Sequence, residues 1–150
     1  MLQKWFKRKM IEPAQKHQSF SVQLDRESVC MGDDAMSHKG IRDVPLDIKV
    51  SDFIEKLTDY VPNMKNSVWL IWGEKETIGY LIFDSAGKAE IEVEGADGSL
   101  RNRLSTAEIP AVTCIYYYNG KFSWVEEASG DTLLEKVKAG RKARAEGSRS

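Results

Sequence analysis

The densest run of side chains able to do chemistry is Glu27-Ser28-Val29-Cys30-Met31-Gly32-Asp33-Asp34, with His38 four residues on. Asp33, Asp34, His38 and Cys30 mix carboxylate, imidazole and thiolate donors, a set that suits zinc or manganese. Cys30 and His38 could instead pair as a thiol nucleophile and its base. Either way the chain would be a small metal- or thiol-dependent enzyme centred on the Cys30–His38 loop. Against this stands the scarcity of partners. The chain has two histidines and two cysteines, and Cys30 and Cys114 form no metal-type spacing. It carries no HExxH, GxSxG, GxGxxG or phosphate-loop pattern. The plainer reading is a turn in which Gly32 supplies an unusual backbone angle and the aspartates bond turn amides. Val29 and Met31 then make Cys30 a strand-end core residue, and both cysteines are expected as buried thiols. We expect no catalytic set, metal site or cofactor, hence no enzyme. An acidic surface loop remains a reasonable binding element.

Charge separates along the chain. Ser19 to Gly130 holds eleven Lys/Arg against nineteen Asp/Glu, a net of −8. The first eighteen residues carry five bases and one acid, and residues 131–150 carry six bases and three acids. An acidic body attracts basic partners and repels nucleic acid. Tyr116-Tyr117-Tyr118 resembles a base-stacking platform only superficially, because Tyr116 and Tyr118 share one strand face, Tyr117 takes the other, and no basic groove accompanies them. We expect no specific nucleic-acid binding.

These residues must be positioned by elements that periodicity reveals. Leu2, Trp5, Phe6 and Met10 mark one face of a short basic helix, followed by a linker to residue 18. Phe20, Val22 and Leu24 alternate as a half-buried strand. Ile41 to Val50 reads as an extended run that Pro45 makes an edge strand or breaks. Asp52 to Val61 is a helix with Phe53, Ile54, Leu57, Tyr60 and Val61 in one stripe, capped by Ser51 and stopped by Pro62. Ser67–Gly73 and Thr77–Asp84 form a hairpin whose first strand is apolar on both faces, as a central strand would be. Trp69 and Trp72 then face opposite sides. Ala89 to Glu94 turns Ile91 and Val93 inward and three glutamates outward. Gly95 to Thr106 reads as a polar connection. Val112–Tyr118 and Lys121–Val125 flank Asn119-Gly120, a strong type I′ hairpin signal. Thr132-Leu133-Leu134-Glu135 has the form of a capping box opening a C-terminal helix with a basic end.

The expected fold class is α+β: a mostly antiparallel sheet of five to seven strands, a helix packed on one face, and terminal helices. Residues 1–18 form the basic arm, 19–130 the acidic domain and 131–146 the C-terminal helix and tail; 147–150 read as a vector-derived scar. No apolar run is long enough to span a bilayer, and the basic N-terminus lacks a signal-peptide apolar region. A cytoplasmic protein without stable membrane insertion is expected. A peripheral adaptor acting through the Trp5/Phe6 helix is a further alternative, although so short a helix would bind a membrane weakly.

The segment Asp25 to Asp34, then His38, then a helix ending Asp59-Tyr60-Val61-Pro62 and a tryptophan-bearing strand, resembles bacterial immunity proteins of polymorphic and contact-dependent growth inhibition toxin systems. The likeness spans roughly residues 20–85. It implies a non-enzymatic inhibitor that binds a cognate toxin domain and blocks its active site. Toxins of that class are often basic nucleases, which an acidic inhibitor suits physically. The residues expected at the partner surface are Asp33, Asp34, His38, Asp43, Trp72, Glu74, Glu76, Glu126 and Glu127.

Overall fold

The computed structural model describes residues 18–30, 37–118 and 132–147, with side chains up to residue 140 of the last segment. The basic arm, the Asn119-Gly120 hairpin and the Lys121–Val125 strand lie outside the described residues. Six strands form one sheet: β1 (Ser19–Arg26), β2 (Gly40–Pro45), β3 (Ser67–Trp72), β4 (Thr77–Phe83), β5 (Ala89–Val93) and β6 (Ala111–Tyr118). Their spatial order is β2-β1-β6-β3-β4-β5. The sheet is mixed instead of mostly antiparallel, because β6 inserts between β1 and β3 and runs parallel to β1, with Gln23 opposite Ala111 and Arg26 opposite Cys114. The other four pairings are antiparallel.

Alternation within the strands creates two apolar faces. Val22, Leu24, Val44, Trp69, Ile71, Leu81, Val112 and Cys114 line one face. Against it packs the helix α1 (Val50–Lys56) with the single 3₁₀ turn Leu57–Asp59 that follows. Phe53, Ile54 and Leu57 are fully buried there, each burial contributing about 1.5–3 kcal/mol. The close approach requires Gly79, where a Cβ would sit 2.5 Å from Ile54 Cδ1 and 2.7 Å from the Glu92 carbonyl oxygen.

The helix begins at Val50, two residues before the expected Asp52, and Ser51 does not cap it. Instead Asp97 reaches across from a later loop and accepts hydrogen bonds from Ser51 N (2.9 Å) and Ser51 Oγ (2.5 Å). These bonds hold its carboxyl below the usual carboxylate range. The expected polar connection of residues 95–106 contains a one-turn helix, α2 (Leu100–Arg103), whose Leu100 and following Leu104 enter the same core.

On the opposite face Val68, Leu70, Tyr80 and Tyr117 pack against Val137, Leu133 and Leu134 of α3 (Leu133–Gly147). The capping box forms reciprocally: Glu135 N donates to Thr132 Oγ1 (3.2 Å), and Thr132 N donates to Glu135 Oε2 (3.1 Å). Residues of β3 therefore enter apolar clusters on both faces, as its unbroken hydrophobic run suggests. α3 covers β6, β3 and β4 but leaves the outer face of β2 and β1 bare of described elements.

Candidate functional site

The His38 end of the suspected catalytic loop is anchored at both its ring and its backbone. Ser28 Oγ and His38 Nε2 lie 3.1 Å apart, and the Tyr60 hydroxyl donates to the His38 carbonyl. Arg42 lies over the Tyr60 ring at 5.9 Å. Burial pushes the Tyr60 phenol up to about 12, with Cys114 and Asp25 adding to the effect. The Cys114 thiol is likewise pushed up to about 12, chiefly by desolvation, and is inert at neutral pH. Cys30 is exposed, not the strand-end core residue expected, because β1 ends at Arg26, four residues earlier. Glu27 is committed to the fold: its Oε1 accepts from Tyr116 N at 2.7 Å. Among the described residues, no group of three or more histidines, cysteines or acids is placed to hold a metal ion. Asp33 and Asp34 lie outside the described residues, as do Glu126 and Glu127.

The remaining expected surface residues fall into two settings. Asp43 sits on the edge strand β2, exposed, and accepts a 2.5 Å hydrogen bond from Ser21 Oγ directly across on β1. Trp72, 36% exposed while Trp69 is fully buried, ends β3 opposite Thr113 of β6. Alternation places Asp43 and Trp72 on the same outer face as α3. Glu74 and Glu76 lie in the β3–β4 turn, where Glu74 adopts a positive φ of 70°. Glu76 is not a bare carboxylate. Its Oε1 takes a 2.5 Å ion pair from Arg103 Nε, and the same guanidinium donates to the carbonyls of Glu94 (2.7 Å) and Ala96 (3.0 Å). Arg103 thus ties α2 to the ends of β4 and β5, and Glu76 orients it. Of the outward glutamates on β5, Glu92 pairs with Lys138 of α3.

The structure adds acidic residues that the sequence did not single out. A groove of about 670 Å³ runs between the end of β2 and the outer side of α1. Asp47, Asp52, Glu55 and Asp59 line it with Lys49 and Lys56. Asp43 stands on the opposite face of β2, beside Arg42, whose guanidinium donates to the Lys56 carbonyl of α1 (3.4 Å). The signal was present in the sequence, since Asp52, Glu55 and Asp59 recur at helical spacing opposite the apolar stripe. A charged outer helix face is ordinarily just solvated, so this spacing alone marks no site.

No family model, no curated protein and no solved structure matches the chain. No helix among the described residues is long and apolar enough to cross a membrane.

Proposed function

We propose that this chain is a non-enzymatic inhibitor of the immunity-protein kind, a cytoplasmic module that captures a basic protein domain and masks it. The observation that carries the reading is the groove beside α1, where Asp47, Asp52, Glu55 and Asp59 stand against Lys49 and Lys56. Carboxylates gathered at one edge of a rigid sheet and helix steer an oppositely charged partner and fix its register. The Ser28 and Tyr60 contacts fix His38 itself beside β2. Glu76 serves this reading only indirectly, by holding Arg103.

The test is co-expression with the product of the neighbouring gene, followed by size-exclusion chromatography at low and high salt. A complex of one copy each that weakens as salt rises supports the reading. Recovery of the chain alone at low salt refutes it.

A further inference from the structure

The groove beside α1 opens where the basic arm joins the sheet. Ser19 stands opposite Pro45 in the β1–β2 register, and the Gln18 carbonyl accepts a 3.0 Å hydrogen bond from Leu46 N. Pro45 and Asp47 line the groove beside this point, and Asp52, Glu55 and Asp59 continue the lining along α1 and its 3₁₀ turn. The residues that precede Gln18 therefore leave the sheet at the rim of the groove. Leu46, 46% exposed, makes that rim partly apolar.

Charge distinguishes among the segments outside the described residues. Of the two lysines that line the groove with its four acids, Lys49 is drawn toward Asp97, whose carboxyl it helps to hold down. Arg42, nearby on β2, is engaged by the Lys56 carbonyl and lies over the Tyr60 ring. Residues 31–36 hold Asp33 and Asp34 and no base, and residues 119–131 hold Glu126, Glu127 and Asp131 against Lys121. An acidic groove repels both. The basic end of α3 belongs to a helix packed on the opposite face of the sheet. Residues 1–17 carry Lys4, Lys7, Arg8, Lys9 and Lys16 against Glu12, and they are the segment tethered at the rim.

The tether is long enough. Ile11–His17 can span roughly 23–25 Å at about 3.3–3.6 Å per residue, whereas α1 and its 3₁₀ turn are together about 17 Å long. The expected N-terminal helix can lay Trp5, Phe6 and Met10 on Pro45 and Leu46 while Lys4, Lys7 and Lys9 reach the carboxylates. A short flexible linker gives an effective concentration on the order of 1 mM, which fills a site whose affinity for the free segment is only about 0.1 mM.

We infer that the chain's own basic arm, residues 1–17, folds back into the groove beside α1 and occupies it in the free protein, as an internal competitor that a basic partner must displace. The docking concerns this chain alone; the displacement rests on the proposed capture of a basic partner. An occupied groove rejects weakly bound basic bystanders and opens to a partner that binds more tightly than the arm.

The test is zero-length carbodiimide cross-linking of the full chain, mixed from ordinary and isotope-labelled protein, with the joined peptides read by mass spectrometry. The expected result is Lys4, Lys7 or Lys9 joined to Asp47, Asp52, Glu55 or Asp59 within one isotopic form, in a yield that falls as salt rises. Joining chiefly to Asp25, Asp43 or Glu90 overturns the inference, as does the absence of cross-links from these three lysines. Pairs that mix the two isotopic forms overturn it in favour of a second copy. A triple variant, Lys4→Glu with Lys7→Glu and Lys9→Glu, alters no residue of the sheet or α1. It should shift the amide signals of residues 45–59, and a spectrum unchanged there overturns the docking. The same variant should bind the neighbouring gene's product about tenfold more tightly than wild type, the ratio of the two concentrations that govern the arm. Equal binding overturns the displacement. If neither form binds, the capture reading fails, and the cross-links still decide the docking.

Discussion

Gly79→Ala should destabilise the protein even though alanine is ordinarily the better residue in a strand. A Cβ at this position lies 2.5 Å from Ile54 Cδ1 and 2.7 Å from the Glu92 carbonyl oxygen. The first contact can be relieved by turning the end of a side chain; the second is backbone of the paired strand and cannot. Overpacking of this kind costs about 1–3 kcal/mol. Reduced unfolded-state entropy returns about 0.4–1 kcal/mol for glycine to alanine, so the net loss should reach at most about 2.6 kcal/mol. At about 2–4 °C per kcal/mol for a domain of this size, the melting temperature should fall by up to roughly 10 °C. The cause is separable by a double-mutant cycle. Ile54→Val removes Cδ1 and alone costs about 0.5–1.5 kcal/mol. Combined with Gly79→Ala it should cost less than the sum, because one of the two clashes has gone. Urea unfolding of the four proteins gives the coupling. A melting temperature raised by Gly79→Ala would refute the account of how tightly β4 is packed between α1 and β5, and the size of the coupling divides the cost between Ile54 and the Glu92 backbone.

Three further outcomes follow from the same contacts. Arg103→Ala should cost about 1–3 kcal/mol, because it removes charge-assisted hydrogen bonds to the Glu94 and Ala96 carbonyls; hydrogen exchange should quicken in residues 94–100 before the rest of the sheet. Asp97 has a folded-state carboxyl below its ordinary range, so its capping contribution is present above that range and lost as pH falls through the lower folded value. Melting temperatures of wild type and Asp97→Asn should therefore differ near neutrality and converge in acid. Tyr60 and Cys114 are both pushed up to about 12, so their contribution is intact below their ordinary values and fades as pH climbs toward 12. Alkaline unfolding should begin in that window, and at neutral pH a thiol reagent should label the exposed Cys30 while Cys114 reacts only on unfolding.

The legible parts of the fold were those whose cause is local. The alternation in Phe20-Val22-Leu24, the doubly apolar Ser67–Trp72 run and the Thr132/Glu135 box each contain their own structural reason, and strands and cap stand where those patterns put them. The parallel pairing of β1 with β6 joins residues 23–26 to 111–114 and leaves no trace in either segment. The same holds for the cap of α1, since Asp97 comes from a loop 46 residues beyond Ser51. The candidate site divides in the same way. The acidic character was visible as composition, but which carboxylates are already engaged was not. Glu76 and Glu92 are engaged by Arg103 and Lys138, whereas Asp47, Asp52, Glu55 and Asp59 line one groove. Trp72 could be placed opposite Trp69 by alternation, yet its 36% exposure was not legible from that pattern.

The position of β6 bears on how the chain assembles during synthesis. β1 and β2 form one local hairpin, and β3, β4 and β5 form a meander; nothing in the sheet joins them until β6 slides between β1 and β3. At about 5–20 residues per second, the stretch from Gln23 to Ala111 keeps the first hairpin waiting on the order of ten seconds. From the completion of β3 at Trp72 until β6 is made, two sheet edges that the finished molecule hides are open to other chains. Before then only α1, packed on β4 and β5, links the two parts; β6, the last strand among the described residues, joins them within the sheet.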